Sequence, residues 1–429
     1  MLDIKLIIEN PDLVREDLRK RGDNEKLAWI ADLVKKYKEY GALVYESQKL
    51  RQKRNEVGQQ IAGLKKQGKD ASRLLKEMKG IPGLIEETEK KTGALKERID
   101  WYLMRLPNIM HGSVPQGKDE SGNVEARKWG ALPKMDFKPM DHIDITSKLG
   151  LVDIDRAARA AGARFYYLKG QLVRLNYALI KLALDFIVKR GYSVFQPPYM
   201  LRRQAIAGAV ALSDFEDVIY KVEGEDLHLI GTSEHALLAY HMEEILEGGS
   251  LPLKYAAISP CYRKEAGAHG RDTKGIFRVH QFEKVEQFIY CRPEDSWKLH
   301  EELLGNAEAF FRLLKIPYRV MNICTGDLGT VAAKKYDIEA WLPGQGQYRE
   351  VVSCSNCTDY QARRSGVRFR DNPGDPTAFV HTLNSTLVAT ERALIAILEN
   401  YQQKDGSVRI PEALQPYMNG LESIGKSSK

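Results

Sequence analysis

Residues 261–286 read CYRKEAGAHGRDTKGIFRVHQFEKVE, and the alternation of side chains here predicts two strands joined by a charged, glycine-bearing loop. On the incoming side Arg263 and Glu265 fall on one face; on the return Arg278, His280, Phe282, Lys284 and Glu286 share a face. Paired as a hairpin, the two sets line one surface with two arginines, an aromatic ring and two carboxylates. The loop carries Gly267, Gly270 and Gly275 beside His269, Arg271 and Lys274, so it is basic and its backbone can come close to a phosphate. It spends about ten residues where an ordinary hairpin turn takes two to five.

Other polar stretches flank this one. Upstream, 228–236 reads HLIGTSEHA, a strand turning into a helix, with Thr232 and Glu234 two apart and able to point the same way. Taken alone, Thr232-Ser233-Glu234 is a helix cap. Downstream, 348–364 reads YREVVSCSNCTDYQARR, and 378–402 reads AFVHTLNSTLVATERALIAILENYQ. The latter predicts a strand, a polar turn at Asn384-Ser385-Thr386, then a helix with Arg392 about two turns in. Leu172–Val188 is apolar nearly all round, which predicts a helix buried on several sides. It is followed by GYSVFQPP at 191–198, a strand ending in proline.

The N-terminal part is built differently. From about Leu27 to Leu64 and from about Ala71 to Tyr102 the chain is charged and helically periodic. Met78, Ile81, Ile85, Thr88, Thr92, Leu95, Ile99 and Tyr102 recur at alternating steps of three and four, a heptad seam. Ile30, Leu33, Tyr37, Tyr40, Val44, Leu50, Val57, Ile61 and Leu64 supply a less regular partner, and Lys66–Asp70 has the composition of a tight reversal. Two antiparallel helices follow, each about 50 Å long. Gly80-Ile81-Pro82-Gly83 inside the second predicts a kink or break. Residues 1–24 read as a structured lead-in, with a helix starting at Asn10-Pro11-Asp12 after a brief apolar strand or turn.

Composition sets the frame. A chain of 429 residues suggests two or three domains, and 43% hydrophobic residues are enough for a sizeable core. The boundary is expected near Pro107, giving an N-terminal domain at 1–107, with its hairpin at about 27–103, and a second domain at 108–429. Net charge is +7. From Lys49 to Lys79 ten basic side chains face three acidic ones, so this segment alone equals the whole chain's excess and favours a polyanionic partner. Lys49, Arg51, Arg54, Lys65, Lys66, Lys69 and Arg73 are the candidate contacts there.

Five cysteines argue for a reducing compartment, and Cys354 with Cys357 is a lone CxxC without a second pair at zinc spacing. The start, MLDIKLIIENPDLV, lacks a basic region followed by an apolar core, and 171–190 carries too many charges to span a membrane. A cytoplasmic protein with no membrane partner is expected.

The stretch 261–286 resembles motif 2 of the class II aminoacyl-tRNA synthetases, and more narrowly the seryl-tRNA synthetase family. The helix and proline-ended strand at 172–198 resemble motif 1, the TSE at 232–234 an amino-acid-binding element, and 378–402 motif 3. The resemblance covers about 1–415. It implies an α+β fold in which an antiparallel sheet is flanked by helices and preceded by a two-helix coiled-coil arm. Activation of L-serine with ATP and Mg²⁺ is implied, followed by transfer to tRNA(Ser); whether tRNA(Sec) is also charged is left open. Motif 1 implies a homodimer.

By the same resemblance, Arg263, Lys264, Glu265, Arg278, Val279, Phe282, Glu350, Val351, Val352, Ser353 and Arg392 bind ATP. Arg263 bridges the α-phosphate and the serine carboxylate, and Arg392 holds the γ-phosphate. Phe282 with Arg278 sandwiches adenine, Glu265 fixes its edge, and Glu350 and Ser353 orient Mg²⁺. Thr232, Ser233, Glu234, Arg263, Glu286 and Thr386 bind serine, the last two at its hydroxyl. His269, Arg271 and Lys274 join the arm in binding tRNA. The motif 3 turn carries Ser385, Thr386 and Leu387 where glycines are commoner in the family. With 27 residues after Gln402, recognition of tRNA is expected to fall on the arm. A catalytically idle RNA-binding or scaffolding relative would keep fold and arm, and a ligase acting on a carrier protein would lack the arm.

Overall fold

The computed structural model describes residues 1–210, 218–265 and 275–425. By its internal contacts the chain divides at Leu106/Pro107, with Leu2–Leu106 forming one unit and Pro107 onward, with Met1, the other.

In the first unit, α1 (Ile4–Glu9) is a helix where a strand or turn was expected. Asp3 caps it, its carboxylate accepting the Lys5 N–H at 2.8 Å. Next, α2 (Pro11–Lys20) begins on proline, whose missing N–H costs nothing at that position. The arm is α3 (Asn24–Lys66) against α4 (Ser72–Leu103), antiparallel. Its free end closes over Val57, Ile61, Ala71, Ile81 and Ile85. At its base Tyr102 Oη donates to Asp32 at 2.6 Å, and Trp29 packs on Trp101 and Tyr102.

The expected break at Gly80–Gly83 does not occur: α4 is continuous through Pro82. Pro82 is exposed while Ile81 and Ile85 are buried against α3. Burial of the seam on both sides therefore offsets the hydrogen bond that proline removes. Lys49, Arg51, Arg54, Lys65, Lys66, Lys69 and Arg73 are all exposed.

The second unit is organised by an eight-stranded sheet among the described residues. Its strands are β1 (Val124–Trp129), β2 (Ser193–Phe195), β3 (Leu253–Tyr262), β4 (Gln281–Cys291), β5 (Tyr318–Asn322), β6 (Lys334–Leu342), β7 (Gln347–Asn356) and β8 (His381–Ala389). Their order is β1-β5-β6-β7-β8-β4-β3-β2, antiparallel throughout except where β2 runs parallel to β3. Packed on it are α5 (Gln171–Val188), α6 (Ser233–Tyr240), α7 (Ser296–Leu313), α8 (Tyr360–Ser365) and α9 (Thr390–Asn400).

The two faces of β4 explain the layout. Val285, Ile289 and Cys291 point into the large core with α5, α7 and α9. On the other face Phe288 and Tyr290 pack under α6, and Phe282, Lys284 and Glu286 are left to line a cavity. Helix α5 is less enclosed than expected: Arg174, Tyr177, Lys181 and Val188 form an exposed face, with Tyr177 at 61% and Val188 at 55%. The expected polar turn at Asn384–Thr386 is instead the middle of β8, and Arg392 lies in the first turn of α9 rather than two turns in. None of the described helices is long and apolar enough to cross a membrane.

Candidate active site

Strands β3 and β4 pair from Leu253↔Tyr290 to Tyr262↔Gln281, and the ladder ends there. Beyond it, Arg263 N–H still donates to His280 O at 3.0 Å, but Glu265 turns left-handed with φ 48°. Strand alternation therefore does not place Glu265; the Arg164 guanidinium does, donating to its carbonyl at 2.7 Å. His280 departs from the expected face. Its Nδ1 is 2.9 Å from Arg263 O and its ring packs near Phe165 and Tyr220, outside the cavity. The loop residues His269, Arg271 and Lys274 lie outside the described residues.

The cavity, of about 510 Å³, is lined by Thr232, Glu234, Arg263, Glu265, Arg278, Val279, Phe282, Lys284, Glu286, Glu350, Val351, Ser353, Thr386 and Arg392, among others. Two β-bulges make this possible. Opposite Ile338/Glu339, β7 shifts register between Val352 and Glu350. Strict alternation would send Glu350 and Val351 to opposite faces, whereas the extra residue lets both reach the cavity beside Ser353. In β8 the register shifts between Thr386 and Val388, so Asn384 and Thr386 face the cavity from before the bulge and Ala389 from after it.

Three expected residues are elsewhere. Val352 is buried in the core beneath the sheet. Ser233 is fully buried, its hydroxyl directed at Ala257 O at 3.4 Å, because in a helix start flanking residues point apart. Lys264 is not part of the wall, and its N–H pairs with Val218 O.

Charges in the cavity are held by specific partners. Arg263 Nε donates to Gly231 O at 3.1 Å, and its guanidinium sits 5.2 Å from the Phe282 ring centre. Arg278 and Glu265 lie 3.8 Å apart. Arg392 donates to Glu350 O at 3.0 Å and meets the Glu350 carboxylate at 3.3 Å. The guanidinium groups of Arg349 and Arg392 lie 4.0 and 4.9 Å from the centre of the Phe277 ring. Lys284 Nζ is 2.6 Å from Glu286 Oε2 but off the hydrogen-bond direction, leaving a charge pair. Glu286 is only 2% exposed, and its cross-strand neighbour is Thr386.

Burial sets the titration of the acids. Desolvation, then the charge of Glu286, pushes the Glu234 carboxyl up to about 7 against the pull of Gln361, Lys284 and Arg263. Desolvation likewise raises Glu350, but nearly half of its side chain is open, and Arg392, Lys335 and Arg263 outweigh the burial and hold it below the ordinary range. Next to Ser353, Asp337 is pushed up to about 7 by burial and by Glu350. Burial pushes His235 down to about 3, with Arg263 and Lys284 adding to the effect, so it stays neutral.

The chain's spacing did not point to several wall residues. Asn384 donates to Glu234 Oε1 at 3.1 Å, and its place two residues before Thr386 in a strand was the available signal. Glu391, pushed up to about 7 by burial, accepts from Tyr166 Oη at 2.6 Å and from the Glu283 N–H at 3.0 Å. Leu328–Ala332 close one side, and no pattern in the sequence marks them. Among the described residues no cluster of three or more His, Cys, Asp or Glu could hold a metal ion. Cys354 and Cys357 are buried free thiols, Cys357 lining the cavity.

Comparison with known proteins bears on this architecture. Residues 1–110 match the family described as the seryl-tRNA synthetase N-terminal domain, and 218–401 the tRNA synthetase class II core domain (G, H, P, S and T). A serine–tRNA ligase of Methanocella arvoryzae is 55% identical over 426 residues, covering 99% of this chain and 100% of the relative. The crystal structure of seryl-tRNA synthetase from Pyrococcus horikoshii complexed with ATP superposes with a TM-score of 0.94 at 52% identity, covering 99% of each chain. A cytoplasmic serine–tRNA ligase from Naegleria fowleri in complex with AMP gives 0.88 at 36% identity, covering 100% of this chain and 99% of the other. Similarity of this extent, over both units and through the cavity, means that the chain belongs to the seryl-tRNA synthetase family of class II synthetases.

Proposed function

We propose that this chain activates L-serine with ATP, forming seryl-adenylate and pyrophosphate, and then transfers the seryl group to tRNA(Ser). The observation that carries the reading is the convergence of Arg263, Glu265, Phe282, Glu286, Glu350 and Arg392 on one cavity from sequence positions up to 129 residues apart. In the first step a serine carboxylate oxygen attacks the α-phosphorus while the bond to the bridging oxygen breaks and pyrophosphate leaves. No proton has to be removed, so orientation and charge stabilisation supply the catalysis. In the second step a terminal ribose hydroxyl of the tRNA attacks the seryl carbonyl, the bond from that carbonyl to the phosphate oxygen breaks, and AMP leaves with the hydroxyl proton passing to its phosphate.

Arg263 is assigned to the α-phosphate and the serine carboxylate, Arg392 to the γ-phosphate, and Phe282 with Arg278 to the faces of adenine. Glu265 is assigned to the adenine edge. At the other end Thr232 and Glu234 receive the ammonium group, and Glu286 with Thr386 receives the hydroxyl. Leaving that buried pair unanswered disfavours alanine by roughly 10⁴-fold. Oxygen donors on Glu350 and Ser353 suit Mg²⁺, and Asp337 Oδ1 beside them is a buried acceptor without a partner. Bound there with the nucleotide, the ion would offset charge on the phosphate oxygens.

The exposed cations of the helical arm are assigned to tRNA, and tRNA(Sec) would be held by the same surface. The exposed apolar side chains Tyr177 and Val188 of α5 support a homodimer through that face. Five free cysteines suit a reducing, cytoplasmic setting. Pyrophosphate exchange into ATP with each of the twenty amino acids tests the reading: exchange with serine alone is expected, and exchange with alanine but not serine would overturn it.

A further inference from the structure

Behind Glu234 lies a chain of neutral polar groups that the roles above do not use. Thr382 Oγ1 donates to Gln361 Oε1 at 2.6 Å, and Gln361 Nε2 donates to Glu234 Oε1 at 2.6 Å. Gln361 and Thr382 are fully buried and neither lines the cavity. Thr382 is itself pinned, its N–H donating to Thr358 O and its carbonyl accepting from Cys357 N.

An amide has one donor end and one acceptor end. The Thr382 hydroxyl, which can donate or accept, here donates to Oε1, and the NH₂ end faces Glu234, an arrangement that suits a carboxylate. Turned round, the amide would face Glu234 with its oxygen and suit only the protonated acid.

We propose that Gln361, its amide held between Thr382 and Glu234, is a positioning residue that holds Glu234 as a carboxylate aimed at the substrate's ammonium group. This rests on the assignment of Glu234 to that end of the site. Glu234 is faced by Glu286 and Lys284 from β4, Arg263 beyond β3, Cys357 beyond β7, Asn384 from β8 and Gln361 from α8, with Thr232 and His235 beside it in its own segment. Burial keeps the Cys357 thiol protonated and His235 neutral, so neither supplies compensating charge. Burial and Glu286 favour the acid form of Glu234, while Gln361, Lys284 and Arg263 oppose them. Near neutrality the balance is close, and losing one donor tips it towards the acid.

The test is the pH dependence of serine use in pyrophosphate exchange at saturating ATP, on the full chain, for Gln361→Met and Thr382→Val, with Glu234→Gln as reference. Gln361→Met should raise the KM for serine about ten-fold near neutral pH, with kcat and the KM for ATP nearly unchanged. Its acid limb should move to higher pH, so that the deficit shrinks in alkaline buffer. Thr382→Val should move the limb the same way by less, and it carries the test if the methionine variant does not fold. An unmoved limb in both, with a raised KM for serine in Glu234→Gln, would overturn the positioning role alone. No rise in that KM in Glu234→Gln would overturn the assignment of Glu234 and the proposal with it.

Discussion

The arm and the cavity each hold a lysine–glutamate pair 2.6 Å apart, Lys53–Glu77 on the arm and Lys284–Glu286 in the cavity. Their side chains are 55% and 37% exposed on the arm, and 7% and 2% in the cavity. Distance alone therefore says little. The exposed pair is screened by salt and readily exchanged for another partner, whereas unpairing one member of a buried pair generally costs about 3–5 kcal/mol. On the arm, then, a cation can change partners at little cost, whereas in the cavity charge is fixed in place.

If that contrast holds, mutation of a fixed charge should act on the chemistry. Arg263→Ala is expected to lower serine-dependent exchange by roughly 10³-fold and Arg392→Ala by roughly 10²-fold, each removing a cation assigned above to developing phosphate charge. Thermal unfolding of each variant should match the parent; a parallel loss of stability would assign the effect to folding. Glu286→Gln should raise the KM for serine by roughly 10-fold to 100-fold while leaving that for ATP nearly unchanged. Equal loss of both would make Glu286 structural.

Smaller effects sharpen the comparison. Pro82→Ala restores an N–H inside α4 at an exposed position and should stabilise the arm by about 1–2 kcal/mol, read from denaturant unfolding. A loss of stability would show that the helix needs proline there. Glu391 titrates near 7 in the folded chain against an ordinary 4.5. The folded form therefore holds a proton that the unfolded chain has lost, and stability falls as pH rises through that window. Glu391→Gln should flatten this fall, seen as unfolding midpoints that change less between about pH 5 and 7. Parallel curves for variant and parent would contradict it.

How far each region was legible follows from the same physics. Of the arm's seam, Ile81, Ile85, Thr88, Ile99 and Tyr102 are buried as the spacing predicts and Met78, Thr92 and Leu95 are half-buried, because a helix obeys one period along its whole length. The cost of Pro82 is local, whereas the burial of Ile81 and Ile85 that offsets it depends on the facing helix. In the cavity, period two holds for Phe282, Lys284 and Glu286 but fails at the bulges. Glu350 beside Val351 and the strand through Asn384–Thr386 could not be read from alternation. Resemblance carried Glu350 and Thr386 to the site, but it also carried Val352 and Ser233, which face elsewhere. Gln361 and Glu391 act through partners more than a hundred residues distant, Glu234 and Tyr166, and no local pattern announces such contacts.

The central claim, that arm and cavity divide binding of the polyanion from chemistry on the small substrate, is tested most directly by reversing charge at the arm's tip. The variant is Lys65→Glu, Lys66→Glu, Lys69→Glu and Arg73→Glu in the full chain, assayed side by side for serine–ATP exchange and for charging of tRNA(Ser) over a range of salt. Exchange should stay close to the parent while charging falls steeply and its salt dependence flattens, since fewer counterions are released. Charging that persists with an unchanged salt slope, or exchange that falls in step with it, would contradict the account.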